Sequence, residues 1–339
     1  MSEKKILFAE GINTISSGNS SHAEGHTTRA AGFSSHAEGA FSIAAGSASH
    51  AEGISTLAKE YGSHSEGNHT SANGPSSHAE GIGSESSGIA SHSEGYETNS
   101  SGNFSHAEGQ STSTNKYNCS HIIGKYGDAT HSSSWHLANG TGNKNRSLAA
   151  RIKNDGIGDI DGGWTMGNFG YAEAFETFNG ESIGYGYFVT LDGKKIRKAN
   201  ANDNYVIGVT TAVFAVLGDS GELRWKNKYE TDKWGRIKYT NVSLEAVKDD
   251  DGNTVLPEYE EKQPNLNSKW DSKIQYISRL GRSEWSAVIL LGKAVVLDDG
   301  KCQVNGYCRP NNKGIAIPWQ KGFRVLERIS PHQILILVK

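Results

Sequence analysis

The tetrapeptide His-Ala-Glu-Gly or His-Ser-Glu-Gly returns every fourteen residues, placing His22, His36, His50, His64, His78, His92 and His106 in one phase. A period this short leaves one coil of chain per repeat, so the first third of the sequence is predicted to be a solenoid. Each unit is two half-units of seven: glycine recurs every seven residues from Gly11 to Gly109, with Glu60 the only break. Before most of these glycines lies small-x-small-x-Gly, as in Ser21-His22-Ala23-Glu24-Gly25 and Thr28-Arg29-Ala30-Ala31-Gly32. Alternation of period two marks a short strand. The glycine that ends it supplies a corner, where positive φ or close backbone approach excludes a Cβ. The coil reads as two short strands with Ala and Ser inward, a flattened parallel β-roll. With about 4.8 Å between stacked strands, eight or so coils make a rod of roughly 40 Å.

Ala and Ser bury little apolar area, so one chain barely offsets its own backbone entropy. Three chains packed side by side, a homotrimer, would cover one another. One strand of the coil varies freely at Arg29, Ile43, Ser71, Glu85 and Asn99, whereas the other holds His and Glu almost without drift. The variable strand reads as solvent-facing and the fixed strand as an interface. His and Glu two apart on a strand share a side, and stacking turns them into parallel ladders. Such a ladder is expected to be a structural hydrogen-bonded network rather than a metal site, although regularly spaced His and Glu are also metal ligands. Each carboxylate would raise the imidazole pKa, and stability would then be present at low pH; imidazolium groups packed on one axis oppose this. The sequence leaves that balance open.

The Ser-x-Ala-x-Gly-x-x pattern over about residues 8 to 124 resembles the head repeats of trimeric autotransporter adhesins, with His and Glu where that family often has Val and Ile. The resemblance implies the β-roll and little about role, since phage fibres use the same fold. Met1-Ser2-Glu3-Lys4-Lys5 lacks the apolar core of a secretion signal. Ile334–Lys339 is too short for an anchoring barrel, so a surface autotransporter is not expected. A net charge of −3 argues against a nucleic-acid partner, and no apolar stretch reaches membrane-spanning length. Three cysteines fit assembly in the cytoplasm. Cys302 and Cys308 flank the turn signal Asn305-Gly306, which predicts a hairpin holding a reduced pair, with a disulfide as the alternative.

The fourteen-residue beat fails after Gly109: His121 arrives one residue late and Gly124 closes the last coil. The expected organisation is a shaft over 1–124, a polar neck over 125–163 and a globular β domain over 164–339. In the neck, Leu148-Ala149-Ala150-Arg151-Ile152 reads as a short strand or a turn of helix. His131, Trp135 and His136 read as end-cap packing before ligand binding. In the globular part, Tyr187–Leu191 and Lys194–Lys198 around Asp192-Gly193 predict a hairpin, its basic arm a solvated edge. Tyr205–Val209, Ala287–Leu297 and Phe323–Leu326 predict further strands, and 248–269 an excursion.

Several motifs in order carry a second resemblance, over roughly 140 to 339. They are Asn145-Arg146-Ser147-Leu148-Ala149, Tyr171-Ala172-Glu173-Ala174-Phe175-Glu176, Gly186–Gly193, Trp285-Ser286-Ala287-Val288 with Leu291-Gly292-Lys293, and Gly306-Tyr307-Cys308. They resemble the C-terminal intramolecular chaperone, or peptidase G2, domain of phage pre-neck appendage proteins. The resemblance implies a domain that trimerises, brings three fibre chains into register and then cuts itself off. It also implies nucleotide binding, but no motif here locates it, and no cofactor is expected. The family cleaves a Ser-Asp bond just before Tyr-Ala-Glu, assisted by the glutamate. Carried over, that glutamate is Glu173, while the scissile pair falls on Phe169-Gly170, which lacks both hydroxyl and carboxylate. A carboxylate beside a strained peptide bond can act as base or nucleophile; Gly170 can do neither. The expectation is therefore an all-β, trimeric phage or prophage fibre or appendage protein. It would join other tail components in the virion and attach to a host surface, for which a glycan or teichoic-acid receptor is a hypothesis without a named residue. Its chaperone domain would be retained, with self-release of a 1–169 fragment as the alternative.

Overall fold

The structure, a computed structural model, describes residues 7–223, 227–248, 254–256 and 258–339. The chain divides into two units, Met1–Gly163 with Glu245–Glu258, and Trp164–Leu244 with Tyr259–Lys339. Among the described residues the only helical element is the 3-10 turn Arg279–Gly281, and no helix is long and apolar enough to cross a membrane.

In the first unit each coil contributes two short strands, and each strand hydrogen-bonds in parallel to the strand one coil on. His50–Ile54 pairs with His64–Asn68, with His50 opposite His64, and Leu57–Ala58 pairs with Ser71–Ala72. Ala23, Ala30, Ala37, Ala44, Ala51 and Ala58 are fully buried and form one continuous core. The serines beside them are buried too, and their hydroxyls turn back onto the chain. Ser35 Oγ donates to the Gly32 carbonyl at 2.8 Å and Ser49 Oγ to that of Gly46 at 2.7 Å. No hydroxyl in such a pair pays the cost of burial without a partner. The late arrival of His121 is absorbed where Asn115 and Lys116 both turn left-handed, at φ 48° and 63°. The parallel ladder then continues from His121–Asp128 to Trp135–Asn139. Leu148–Ile152, a strand, closes it in antiparallel sense, with Gly158–Ile160 beyond. Arg146 clamps this end, its guanidinium donating to both carboxylate oxygens of Asp128 at 2.7 and 2.8 Å.

The two glycine series do different work. Gly25, Gly39 and Gly53 are left-handed, at φ 105°, 91° and 109°. Gly32 and Gly88 are not, yet a Cβ on either would lie 1.9–2.0 Å from the carbonyl oxygen of the glycine one coil on.

The second unit is built around the strand Trp285–Leu297. It pairs antiparallel with Tyr171–Glu176, Gly208–Thr210 and Gln333–Val338. The sheet extends on one side through Phe188–Asp192 to Lys195–Lys198, the expected hairpin. On the other side it runs through Phe323–Ser330 to Tyr307–Pro310 and Ala316–Trp319. Phe188, Val209, Ile289, Val296, Val325, Ile334 and Ile336 fill its core. Of Tyr205–Val209 only the end is strand, within Gly208–Thr210. The excursion expected over 248–269 contains the strand Tyr259–Pro264, which pairs antiparallel with Tyr239–Leu244; residues 249–253 and 257 lie outside the described residues.

The predicted Cys302–Cys308 hairpin does not form. Asn305 takes the turn at φ 68°, but Tyr307–Pro310 finds its partners downstream, and Cys302 precedes the turn outside any strand. Both cysteines are buried free thiols. Burial, with the Asp298 carboxylate adding to it, pushes the Cys302 thiol up to about 12.

Candidate functional site

Stacking in register makes the conserved face of the coil a column of imidazoles. From His22 to His121 successive rings lie 4.6–4.9 Å apart and within 10° of parallel. His121 joins the seven expected rungs because the extra residue is looped out before it. From His36 onward each Nε2 faces the carboxylate of the preceding coil, at 3.3 Å for His78 with Glu66 and for His92 with Glu80, and at 3.7 Å for His36 with Glu24, while His22 lies 3.9 Å from Glu24 of its own coil. Every one of these Nε2 atoms is buried and has no hydrogen-bond partner. His50, Glu52 and His64 bring one donor atom each within 4.8 Å of one another, as do similar triplets along the column. Tetrahedral zinc needs converging donors about 2 Å from the ion; parallel rings present theirs side by side.

The electrostatic balance left open by the sequence falls against protonation. Burial, reinforced by neighbouring imidazoles, lowers the pKa of His36, His78 and His106, and of His50 through His64. Burial alone lowers His121 against the pull of Glu94. The facing carboxylates do raise these values, but by less than burial and the like neighbours lower them. The carboxylates share protons along their own stack. Burial and hydrogen bonds to Glu94 and Glu66 push Glu80 up to about 7, and burial with Glu94 raises Glu108. Glu94, hydrogen-bonded to Glu108 and Glu80, is held low.

A pH dependence follows. Unfolded imidazole titrates near 6.5 and the folded groups titrate lower, so below 6.5 the unfolded chain binds more protons and stability is lost as the pH drops. Glu80 and Glu108 act oppositely below neutrality, because the folded chain keeps protons that unfolded glutamates release. The five depressed histidines of the column and the buried His136 act in one direction, Glu80 and Glu108 in the other, and the histidines are expected to set the sign. The thermal midpoint of the shaft, followed by circular dichroism, is expected to be highest at and above neutrality and to fall from pH 6.5 to 5. A midpoint that rises over that interval would contradict this balance.

Of the other residues singled out at the shaft end, His136 is packed inside, His131 is half-buried beside the Thr130 hydroxyl and Trp135 is exposed. His136 is fully buried; its Nδ1 bonds to the His121 carbonyl at 3.2 Å and its Nε2 accepts the Thr130 N–H at 3.1 Å. Trp135 continues the histidine column in register with His121. In the basic hairpin Lys195 pairs with Glu176 at 2.7 Å, Arg197 grips Asp203 through both carboxylate oxygens, and Lys198 lies 3.5 Å over the Tyr187 ring.

At the second candidate position the chain enters the strand Tyr171–Glu176. Phe169 is exposed and Gly170 is left-handed at φ 90°. The Gly170 carbonyl accepts the Ala215 N–H at 2.9 Å. A Cβ at 170 would lie 2.6 Å from Ile289 Cδ1 and 3.0 Å from the Lys293 carbonyl oxygen. Glu173 stands opposite Val288 and Gly218, and its Oε1 accepts the Tyr171 hydroxyl at 2.6 Å. That bond raises the Tyr171 pKa, helped by burial, Glu173 and Asp219. Arg279 pairs with Asp219, donates to its carbonyl at 2.6 Å and lies 4.3 Å over the Trp285 ring. The sequence carries no motif for this last group, since Asp219, Arg279 and Trp285 meet only through folding.

A family model described as Peptidase_G2, IMC autoproteolytic cleavage domain, matches residues 112–333, more than half of the chain. The chain belongs to this family. The match begins inside the strand His106–Ser113, upstream of the motifs that start near 140. The pre-neck appendage protein of Bacillus phage B103 is 31% identical over 163 residues, 48% of this chain and 17% of the phage protein. The preneck appendage protein of Bacillus phage PZA is 36% identical over 161 residues, 47% of this chain and 17% of its own length. The chain thus spans less than a fifth of these relatives. The crystal structure of the pre-mature bacteriophage phi29 gene product 12 superposes with a TM-score of 0.62 at 21% identity, over 98% of this chain and 40% of the other. It shares the fold: a parallel β-solenoid followed by a β-rich region. Within this Peptidase_G2 chain, the scissile pair that the resemblance implies sits on a residue whose backbone conformation and surroundings both demand glycine.

Proposed function

We propose that this chain is part of a phage or prophage appendage that forms a homotrimer in the host cytoplasm, joins the virion and serves attachment to a host surface. Its Peptidase_G2 domain then works as an assembly chaperone that stays attached. Nearly identical coils specify register weakly, and a trimerising C-terminal unit that aligns three chain ends lets the coils zip in phase. The observation that carries the reading is the column of stacked imidazoles and carboxylates, whose side chains are only half-buried in a single chain. An ordered, ionisable face repeated on every coil is suited to a partner that repeats at the same spacing, so a second and third copy of the chain would cover the column. Light scattering on the purified full chain is expected to give the mass of three chains; a monomer at all concentrations would overturn the trimer. The preserved Tyr171–Glu173 pair favours a second reading, in which the domain cuts near Gly170 and releases a 1–169 fragment.

A further inference from the structure

The strand that carries each His and Glu starts at one corner of the coil and ends at another. The corners are marked by left-handed residues such as Ser34 before His36 and Phe41 after Glu38. Just ahead of each corner residue stands a side chain that its backbone holds outward. The Phe33 carbonyl accepts the Ala48 N–H at 2.7 Å and the Ala40 carbonyl accepts the Ser55 N–H at 2.8 Å, so both positions stack coil on coil into columns.

The two columns alternate in opposite phase. On successive coils the starting and ending corners carry Phe33 with Ala40, Ser47 with Ile54, Tyr61 with Asn68, and Pro75 with Ile82. The bulky members are half in water: Phe33 is 56%, Ile54 50%, Tyr61 63% and Ile82 51% exposed. The alternation lapses at the next coil, where Ile89 and Tyr96 are both large. Apolar side chains this exposed, in two ordered stripes, mark a contact surface.

We propose that the stripe of starting corners on one copy packs against the stripe of ending corners on the next, a large side chain meeting a small one on each rung. The inference rests on the trimer reading above. Three strands that turn their His/Glu side to a common axis form a triangle, head to tail, so unlike corners meet and the ring closes. Complementary volumes keep the packing density even. A slip by one coil would set Tyr61 against Ile54, large on large, and Pro75 against Asn68 with too little between them; overpacking and voids both cost stability. The alternation therefore penalises slips of one coil, which the repeat itself leaves cheap, while slips of two coils remain for the C-terminal unit to prevent.

The test uses the full chain with Ala40→Phe, Phe33→Ala and the double exchange, following mass by light scattering and the thermal midpoint of dissociation. Phe33 is exposed and Ala40 half-buried in a single chain, and neither belongs to the buried Ala and Ser core, so each coil is expected to fold in every variant. Each single substitution is expected to lower the midpoint by about 5 °C or more, and the exchange to recover most of the loss. A trimer in which the two effects simply add would overturn the corner pairing alone. A monomeric parent chain would overturn the trimer reading with it.

Discussion

Gly53→Ala is expected to unfold the centre of the shaft, at a cost of more than about 4 kcal/mol. Gly53 sits at φ 109°, where an L side chain is strained, and a Cβ there would lie 2.2 Å from the Gly67 carbonyl oxygen and 3.0 Å from its carbonyl carbon. The obstacle is backbone, held by the parallel pairing of His50–Ile54 with His64–Asn68, so no side chain can swing aside. Relief requires opening the ladder between two coils. Because each coil touches only its neighbours, the break is expected to divide the solenoid rather than loosen it evenly. Gly62→Asn is the control. Gly62 is a corner residue at φ 61° whose Cβ would meet nothing closer than Ser76 Oγ at 3.5 Å, and asparagine tolerates this conformation, so the change is expected to stay within about 0.5 kcal/mol. Urea titrations followed by circular dichroism separate the two. Equal, small losses would show that coil spacing is not set by glycine.

This contrast also shows what the sequence made legible. Coil length, the inward Ala and Ser, and the need for glycine follow from spacing alone, because every coil repeats the same physical constraint. The left-handed corners two residues after each glycine are not legible: they hold Thr27, Ser34, Phe41, Ala48 and Glu97, types with no preference for that region. Coil-to-coil hydrogen bonds, such as Phe41 N–H to the His26 carbonyl at 2.9 Å, impose the conformation from outside the residue. The protonation of the ladder was hidden for a related reason. Spacing puts carboxylates beside imidazoles, but only the stacked geometry reveals that burial and like neighbours weigh more. In the globular unit the strand Trp285–Leu297 is plain from its apolar run, whereas the partners of Tyr307–Pro310 depend on chain returning from 316 and 323. A turn signal at Asn305-Gly306 gives no information about that.

The freshly purified chain is expected to run as one species at its full 36.5 kDa under denaturing conditions, with Glu173→Ala indistinguishable from it in mass. The argument is steric before it is chemical. Cleavage of the kind the family resemblance implies uses an aspartate immediately after the scissile bond, and here that position is glycine in a left-handed conformation. Rebuilding the pair with Phe169→Ser and Gly170→Asp supplies hydroxyl and carboxylate, but the new Cβ would lie 2.6 Å from Ile289 Cδ1 in the core and 3.0 Å from the Lys293 carbonyl oxygen on the central strand. The Ile289 side chain is fully buried among Val209, Val296 and Ile336, so it has little room to yield. The rebuilt chain is therefore expected to lose about 3 kcal/mol or more from the globular unit and to remain uncut. The Glu173→Ala change removes only the bond from the Tyr171 hydroxyl, at about 1 kcal/mol. Two fragments divided near Gly170 in the parent chain, abolished by Glu173→Ala, would instead establish the self-releasing reading. Fragments appearing only in the rebuilt chain would show that the loss of the Ser-Asp pair, rather than the backbone around it, keeps this domain attached.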